Sequence, residues 1–190
     1  ERTVAMALGG LANTLSRFAM DVCLYMSQNF GFISFPDELT TGSSIMPHKK
    51  NPDVFELIRG KCNKIQALQT EMILITNNLP SCYHRDFQLL KENMIAAFEE
   101  TKTILEIFDY SIQQIIIKEV SPNDEKYKFL FTVDNMNTLV ENGMTYRDAY
   151  RTIGAKVEDG SYVPDTSKKH SHAGSIHNLC LDEIGNKFPK

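Results

Sequence analysis

The sequence predicts an all-α protein: a segment of a long-helix bundle over residues 1–120, then a small C-terminal helical domain over residues 121–190. Two observations predict it. Apolar residues recur at three- and four-residue steps through three long stretches before residue 120. Beyond residue 121 the texture changes to short periodic pieces punctuated by Gly143, Gly154, Gly160 and Pro164. The first helix is expected from about residue 4 to about residue 30, marked by Leu8, Leu11, Leu15, Phe18, Val22, Tyr25 and Met26 and ended by Gly31. The second is expected from residue 53 to about residue 78, with Val54, Ile58, Cys62, Ile65, Leu68, Met72 and Ile75 on one stripe. Ile73 and Leu74 widen that stripe, and Asn77, Asn78 and Pro80 stop the helix. The third is expected from near residue 86 to about residue 118, about 50 Å of helix, with Ser121 and Pro122 breaking the pattern. Its apolar positions, among them Leu90, Met94, Ala97, Phe98, Leu105, Phe108, Ile112, Ile115 and Ile116, exceed one face, so it must be covered on several sides. Three such helices cannot cover one another, and an oligomer is expected. Short helices are expected near residues 131–142 and 145–157, and the tail from 166 to 173 is polar.

Composition narrows the function classes. At 190 residues and 42% hydrophobic content the chain can bury a core. A net charge of −4 excludes the basic surface that nucleic acid demands. No apolar run reaches the length of a membrane span, and no signal peptide is expected. Cys23, Cys62, Cys82 and Cys180 are widely spaced without a Cys-x-x-Cys pair, which suits reduced thiols in a cytoplasmic protein. His170, His172, His177 and Cys180 cluster near the end, but their spacing fits no zinc template, so no metal is expected.

The chemistry concentrates in residues 40–52. Thr40, Thr41, Gly42, Ser43 and Ser44 form a hydroxyl-rich turn without apolar period. Asn51 reads as the N-cap and Pro52 as the first residue of the second helix. Lys49 and Lys50 stand just before that helix start, where the dipole is already positive, so an anion is expected there. Two hydroxyls, two ammonium groups and a helix N-terminus suit a carboxylate or a phosphate.

The string Gly-Ser-Ser-Ile-Met-Pro-His-Lys-Lys-Asn-Pro at 42–52 resembles the signature loop of the fumarase/aspartase superfamily, whose members eliminate fumarate from succinyl compounds. A second motif, Ser-Cys-Tyr-His-Arg-Asp-Phe-Gln-Leu-Leu-Lys-Glu at 81–92, resembles the argininosuccinate lyase branch of that superfamily, as does Phe-Glu-Leu-Ile-Arg-Gly-Lys at 55–61. The likeness continues to His172, Gly174 and Ser175 and covers nearly the whole chain.

The resemblance implies a fold built on the superfamily's central helical domain, a homotetramer, and cleavage of argininosuccinate to arginine and fumarate without metal or organic cofactor. Ser43 matches the serine base, with Ser44 as its alternative or as a backbone-satisfying neighbour. Lys49 and Asn51 match carboxylate-binding positions and would stabilise the carbanion. Glu56 matches a glutamate that orients a histidine acid from another subunit. Tyr83, Gln88 and Lys91 match substrate contacts, and Ser44 and Met46 of the signature loop are expected with Asn51 among the substrate-binding residues. No histidine here matches the acid by context. Family enzymes are longer ahead of the signature loop, so the chain is expected to be the C-terminal part of one, inactive alone. Adenylosuccinate lyase is the enzyme alternative. A non-catalytic helical assembly protein, as when this family serves in the lens, is the alternative of another class.

Overall fold

The structure, a computed structural model, describes residues 1–46, 48–119 and 124–188. Two compact units divide the chain, Glu1–Glu119 and Val120–Lys190. The first holds three long helices: α1 (Arg2–Met26), α2 (Asp53–Thr76) and α3 (Leu89–Ile112). They run alternately up and down. Ser16 near the middle of α1 donates to Asn63 in α2 at 3.2 Å, while Asn93 early in α3 donates to Glu71 late in α2. Lys61 of α2 pairs with Glu100 of α3 in the same antiparallel sense.

The buried face of α1 is Ala5, Gly9, Ala12, Leu15, Ala19 and Val22. Small residues at four of these positions bring the α1 backbone close to α2. A Cβ on Gly9 would lie 1.8 Å from the Gln69 amide nitrogen. The larger apolar residues of α1, Leu11, Phe18 and Tyr25, are partly exposed instead.

Two apolar clusters fill the unit, one near each end. Leu15, Ala19 and Val22 meet Phe35, Leu39, Phe55, Ile58 and Ile104 at the end where α2 begins. Ala5, Leu68, Met72, Leu90, Met94 and Ala97 form the other, where α2 gives way to α3. Phe55 is 1% exposed, with its ring 5.0 Å from Phe35 and 6.5 Å from Phe108. Phe55→Ala should therefore destabilise the chain by about 3–5 kcal/mol, read as a lower urea midpoint. Burial pushes the thiol of the fully buried Cys62 above its ordinary pKa.

Three expectations need correction. The first helix ends at Met26, not near residue 30, because Ser27 turns to extended backbone (ψ 153°). Gly31, in the left-handed region at φ +60°, then closes a separate turn by donating its N–H to the Ser27 carbonyl at 2.8 Å. The third helix is preceded by a 3-10 turn (Arg85–Gln88) and stops at Ile112, which makes it about 36 Å long rather than about 50 Å. Its expected final turns instead form a short strand, β2 (Ile116–Ile117), paired antiparallel with β1 (Ile33–Ser34). The isoleucine run is β-branched, and the open edge after Phe32 offers backbone partners that a free helix end lacks. The third correction, to the Asn51 cap, belongs to the site. Ser121 and Pro122, read as breakers, lie outside the described residues, as does Pro47 of the loop.

The second unit has a 3-10 segment (Glu125–Phe131), α4 (Thr132–Glu141), α5 (Tyr146–Glu158) and the short α6 (Leu181–Gly185). Both expected helices appear within a residue or so of their expected limits. Thr145 caps α5 by accepting from the Asp148 N–H at 3.3 Å. Met136, Ala149, Ile153 and Tyr162 form its core. The Tyr162 hydroxyl donates to Asn135 at 2.8 Å. His170, from the polar tail, lies 3.0 Å from the Asp134 carboxylate and so joins the tail to α4.

Candidate active site

The loop from Thr40 to Pro52 joins Leu39 to α2, and Leu39 before it and Phe55 after it are both buried in the same apolar cluster. Its root is a short backbone bridge. Thr41 N–H donates to the Asn51 carbonyl at 3.2 Å, and Asn51 N–H returns to the Thr41 carbonyl at 2.8 Å. The Asn51 side chain does not cap α2. Its amide donates to the Thr41 and Gly42 carbonyls, at 3.3 Å each, and Pro52 occupies the cap position with no side-chain bond. The bridge turns Asn51 back across the loop, out of reach of the helix's first amides. Two features escaped the sequence reading. The Thr41 hydroxyl donates to the Asp53 carboxylate, and Lys50 pairs with Asp37. Neither pair has a regular spacing by which a sequence could reveal it.

Ser43 is partly buried, and its Oγ accepts from the backbone N–H groups of Ile45 and Met46, each at 3.2 Å. This is a hydroxyl turn that points two amide dipoles at one oxygen. Such an arrangement favours the ionised hydroxyl, because preorganised donors stabilise charge without reorganising. Ser44 is exposed, and its hydroxyl has no hydrogen bond among the described residues. Met46 is 40% exposed beside Ser43, and its carbonyl accepts from Lys49 N–H at 3.0 Å.

The two lysines differ in a way their adjacency hid. Lys50 is occupied by Asp37, whereas the Lys49 ammonium is exposed and has no ion pair among the described residues. Asp53 and Glu56 sit in the first turn of α2 and already answer its positive end. Lys49 is thus the loop's available cation. Glu56 is exposed, without a hydrogen bond or ion pair among the described residues. It faces the C-terminal half of α1: burial raises the Cys23 thiol pKa, Arg59 opposes this, and Glu56 adds to it.

Tyr83, Gln88 and Lys91 come together at the other end of the unit. The Gln88 amide donates to the Tyr83 hydroxyl, and Lys91 donates to the Gln88 side-chain oxygen at 3.0 Å. The Tyr83 ring lies 5.7 Å from Phe87, and all three polar side chains are accessible beside Glu1. Between this trio and the loop stands the whole of α2, 24 residues or about 36 Å. The structure therefore gathers the sequence candidates into two groups and keeps the groups apart within one chain. Among the described residues no helix is long and apolar enough to cross a membrane.

Residues 3–67 match the lyase family. The chain is 52% identical to the argininosuccinate lyase of Parabacteroides distasonis over 97% of its own length and 41% of that enzyme. It is 36% identical to the argininosuccinate lyase of Aquifex aeolicus, over 92% of this chain and 36% of that enzyme. The chain thus spans about two-fifths of the length of these relatives. Among solved structures, EDDS lyase in complex with formate superposes with a TM-score of 0.65 at 18% identity, covering 82% of this chain and 32% of that one. Fumarate lyase:delta crystallin from Brucella melitensis, bound to cobalt, gives 0.65 at 20%, covering 84% and 34%. At these identities the structures speak for the fold, a helical one of the fumarate lyase type. Loop motif, helical architecture and alignments agree: residues 3–67 match the lyase family model, and nearly the whole chain aligns with part of the argininosuccinate lyases.

Proposed function

We propose that this chain takes part in the reversible elimination of fumarate from argininosuccinate, releasing arginine, within a homotetrameric cytoplasmic lyase of arginine biosynthesis. The observation that carries the reading is the alignment of 97% of this chain with 41% of an enzyme bearing that name. The site geometry supplies the chemistry.

Ser43 is the base. Its ionised Oγ, held by the Ile45 and Met46 amides, takes the Cβ proton of the succinyl group. The electron pair left on Cβ delocalises onto the neighbouring carboxylate, where the Lys49 ammonium stabilises it, while Asn51, whose amide donates to the Thr41 and Gly42 carbonyls, holds the loop around that cation. That pair then forms the fumarate double bond as the C–N bond breaks, and the departing guanidino nitrogen takes a proton from an acid. Glu56 is exposed and has no ion-pair partner among the described residues, which suits a carboxylate that orients a histidine acid on another subunit. Tyr83, Gln88 and Lys91 bind the amino-acid end of the substrate, Lys91 through its carboxylate.

The oligomer follows from distance and from surface. No succinyl compound spans about 36 Å of helix, so one site must take its loop and its Tyr83 group from different subunits. Leu57, Leu74 and Ile95 are 63%, 60% and 62% exposed on helices otherwise packed for a bundle, as befits faces covered by other copies. The four unpaired cysteines suit a reducing compartment.

The test is a graft: this chain replaces the aligned segment of the Parabacteroides distasonis enzyme, and fumarate release is followed by absorbance. Argininosuccinate should be cleaved and adenylosuccinate should not. Preference for adenylosuccinate would overturn the assignment. Gln88→Ala and Lys91→Ala should each lower kcat/KM for argininosuccinate by about 10- to 100-fold, the scale of a lost charged hydrogen bond, and create no activity on adenylosuccinate.

A further inference from the structure

The root of the loop carries groups that the reaction leaves unused. The Thr41 hydroxyl donates to Asp53 Oδ2, twelve residues on, beside the reciprocal backbone bonds of Thr41 with Asn51. Gly42 follows, its carbonyl taken by the Asn51 amide at 3.3 Å, and Ser43 comes next. Asp53 is the first residue of α2, and Phe55, two residues further, is locked in the core. The Thr41–Asp53 contact is therefore a side-chain tie between the loop segment that delivers Ser43 and a rigid helix. Among the described residues, the hydrogen bonds of the Ser43 hydroxyl are internal to its own turn, from Ile45 and Met46, and do not fix where that turn stands.

We propose that Asp53, acting through the Thr41 hydroxyl, is a positioning residue that sets the place of Ser43. The role rests on the reading of Ser43 as the base. Neither side chain needs to touch substrate. Without the tie, Thr41 keeps, among the described residues, its backbone bridge to Asn51 and the 3.3 Å bond from the Asn51 amide, and Gly42, whose carbonyl shares that amide, offers no side chain to restrain the turn. Proton abstraction is sensitive to such freedom, since a displacement of about 1 Å at a reacting atom can cost on the order of 100-fold in rate.

Thr41→Val is the primary variant, because it removes the donor while leaving the carboxylate at the start of α2. In the grafted lyase it should lower kcat by about 10- to 100-fold with KM changed less than about twofold, and raise the deuterium isotope effect on Cβ–H abstraction. Thr41→Ser should restore most of the rate. The double variant Thr41→Val/Asp53→Ala should be no slower than Asp53→Ala alone, since a shared tie is lost only once. Independent losses that multiply, or an unchanged kcat in Thr41→Val, would overturn the proposal. A second readout uses the 190-residue chain itself and does not depend on activity. Amide exchange at Ile45 and Met46 should accelerate by roughly fivefold in Thr41→Val, while α1 to α3 keep their protection. Unchanged exchange there would sink the positioning role even if the graft were inactive. Accelerated exchange with an inactive unmutated graft would instead count against the lyase assignment alone.

Discussion

Ser43→Ala in the grafted lyase should lower kcat by about 100- to 10,000-fold while argininosuccinate still binds, the range expected for losing a general base. The loss falls on the chemical step because Ser43 Oγ is the loop hydroxyl that two amides prepare for ionisation. Calorimetric titration should return a dissociation constant within a few-fold of the unmutated value, since Lys49, the cation proposed to bind the carboxylate, is untouched. Ser44→Ala is the companion measurement. Its hydroxyl is exposed and has no hydrogen bond among the described residues, so turnover should change little. A full rate in Ser43→Ala, or a collapse in Ser44→Ala, would transfer the base to Ser44 or remove both from the mechanism.

The second large effect concerns the way chains combine. Ser43→Ala chains and Gln88→Ala/Lys91→Ala chains, each nearly inactive as grafted enzymes, should recover activity when unfolded and refolded together. Both groups belong to one chain, yet the length of α2 lies between them. A site built across subunits can therefore take an intact loop from one parent and an intact Tyr83 group from the other. Sites with both halves intact arise only in mixed oligomers, so activity should rise with the proportion of mixed species seen by native mass spectrometry. Mixed oligomers without activity would mean that the two groups do not share a site, and the proposed role of Gln88 and Lys91 would fail.

Much of both units was legible because the signals are local. The start of α2 at Asp53, the stripe Ile58, Cys62, Ile65, Leu68 and Met72, and the two helices expected near 131–142 and 145–157 and found at 132–141 and 146–158 all follow from short-range periodicity. The end of α3 was not legible. Residues 113–118 continue an apolar helical pattern, and only the nearby edge at Ile33 and Ser34 makes the extended alternative worth adopting. Asn51 misled for a related reason. Its preference for an N-cap is real, but a cap needs its side-chain oxygen at the first amides of α2, and the backbone bridge to Thr41 together with the side-chain bonds to the Thr41 and Gly42 carbonyls holds that side chain over the loop instead.

For the candidate site the sequence by itself determined the chemistry: a Gly-Ser-Ser loop with two lysines before a helix, and a Tyr, Gln and Lys group at 83, 88 and 91. Both rest on residue type and close spacing, which survive in any fold that keeps the segments intact. Tertiary structure decided which of these groups are free and where they stand. It occupied Lys50 with Asp37 and left Lys49 open, tied Thr41 to Asp53, and set the two motifs at opposite ends of one rigid helix. Those outcomes depend on which distant segments approach each other. That is settled by the burial of Leu39 and Phe55 and by the close packing of α1 on α2, not by any spacing along the chain.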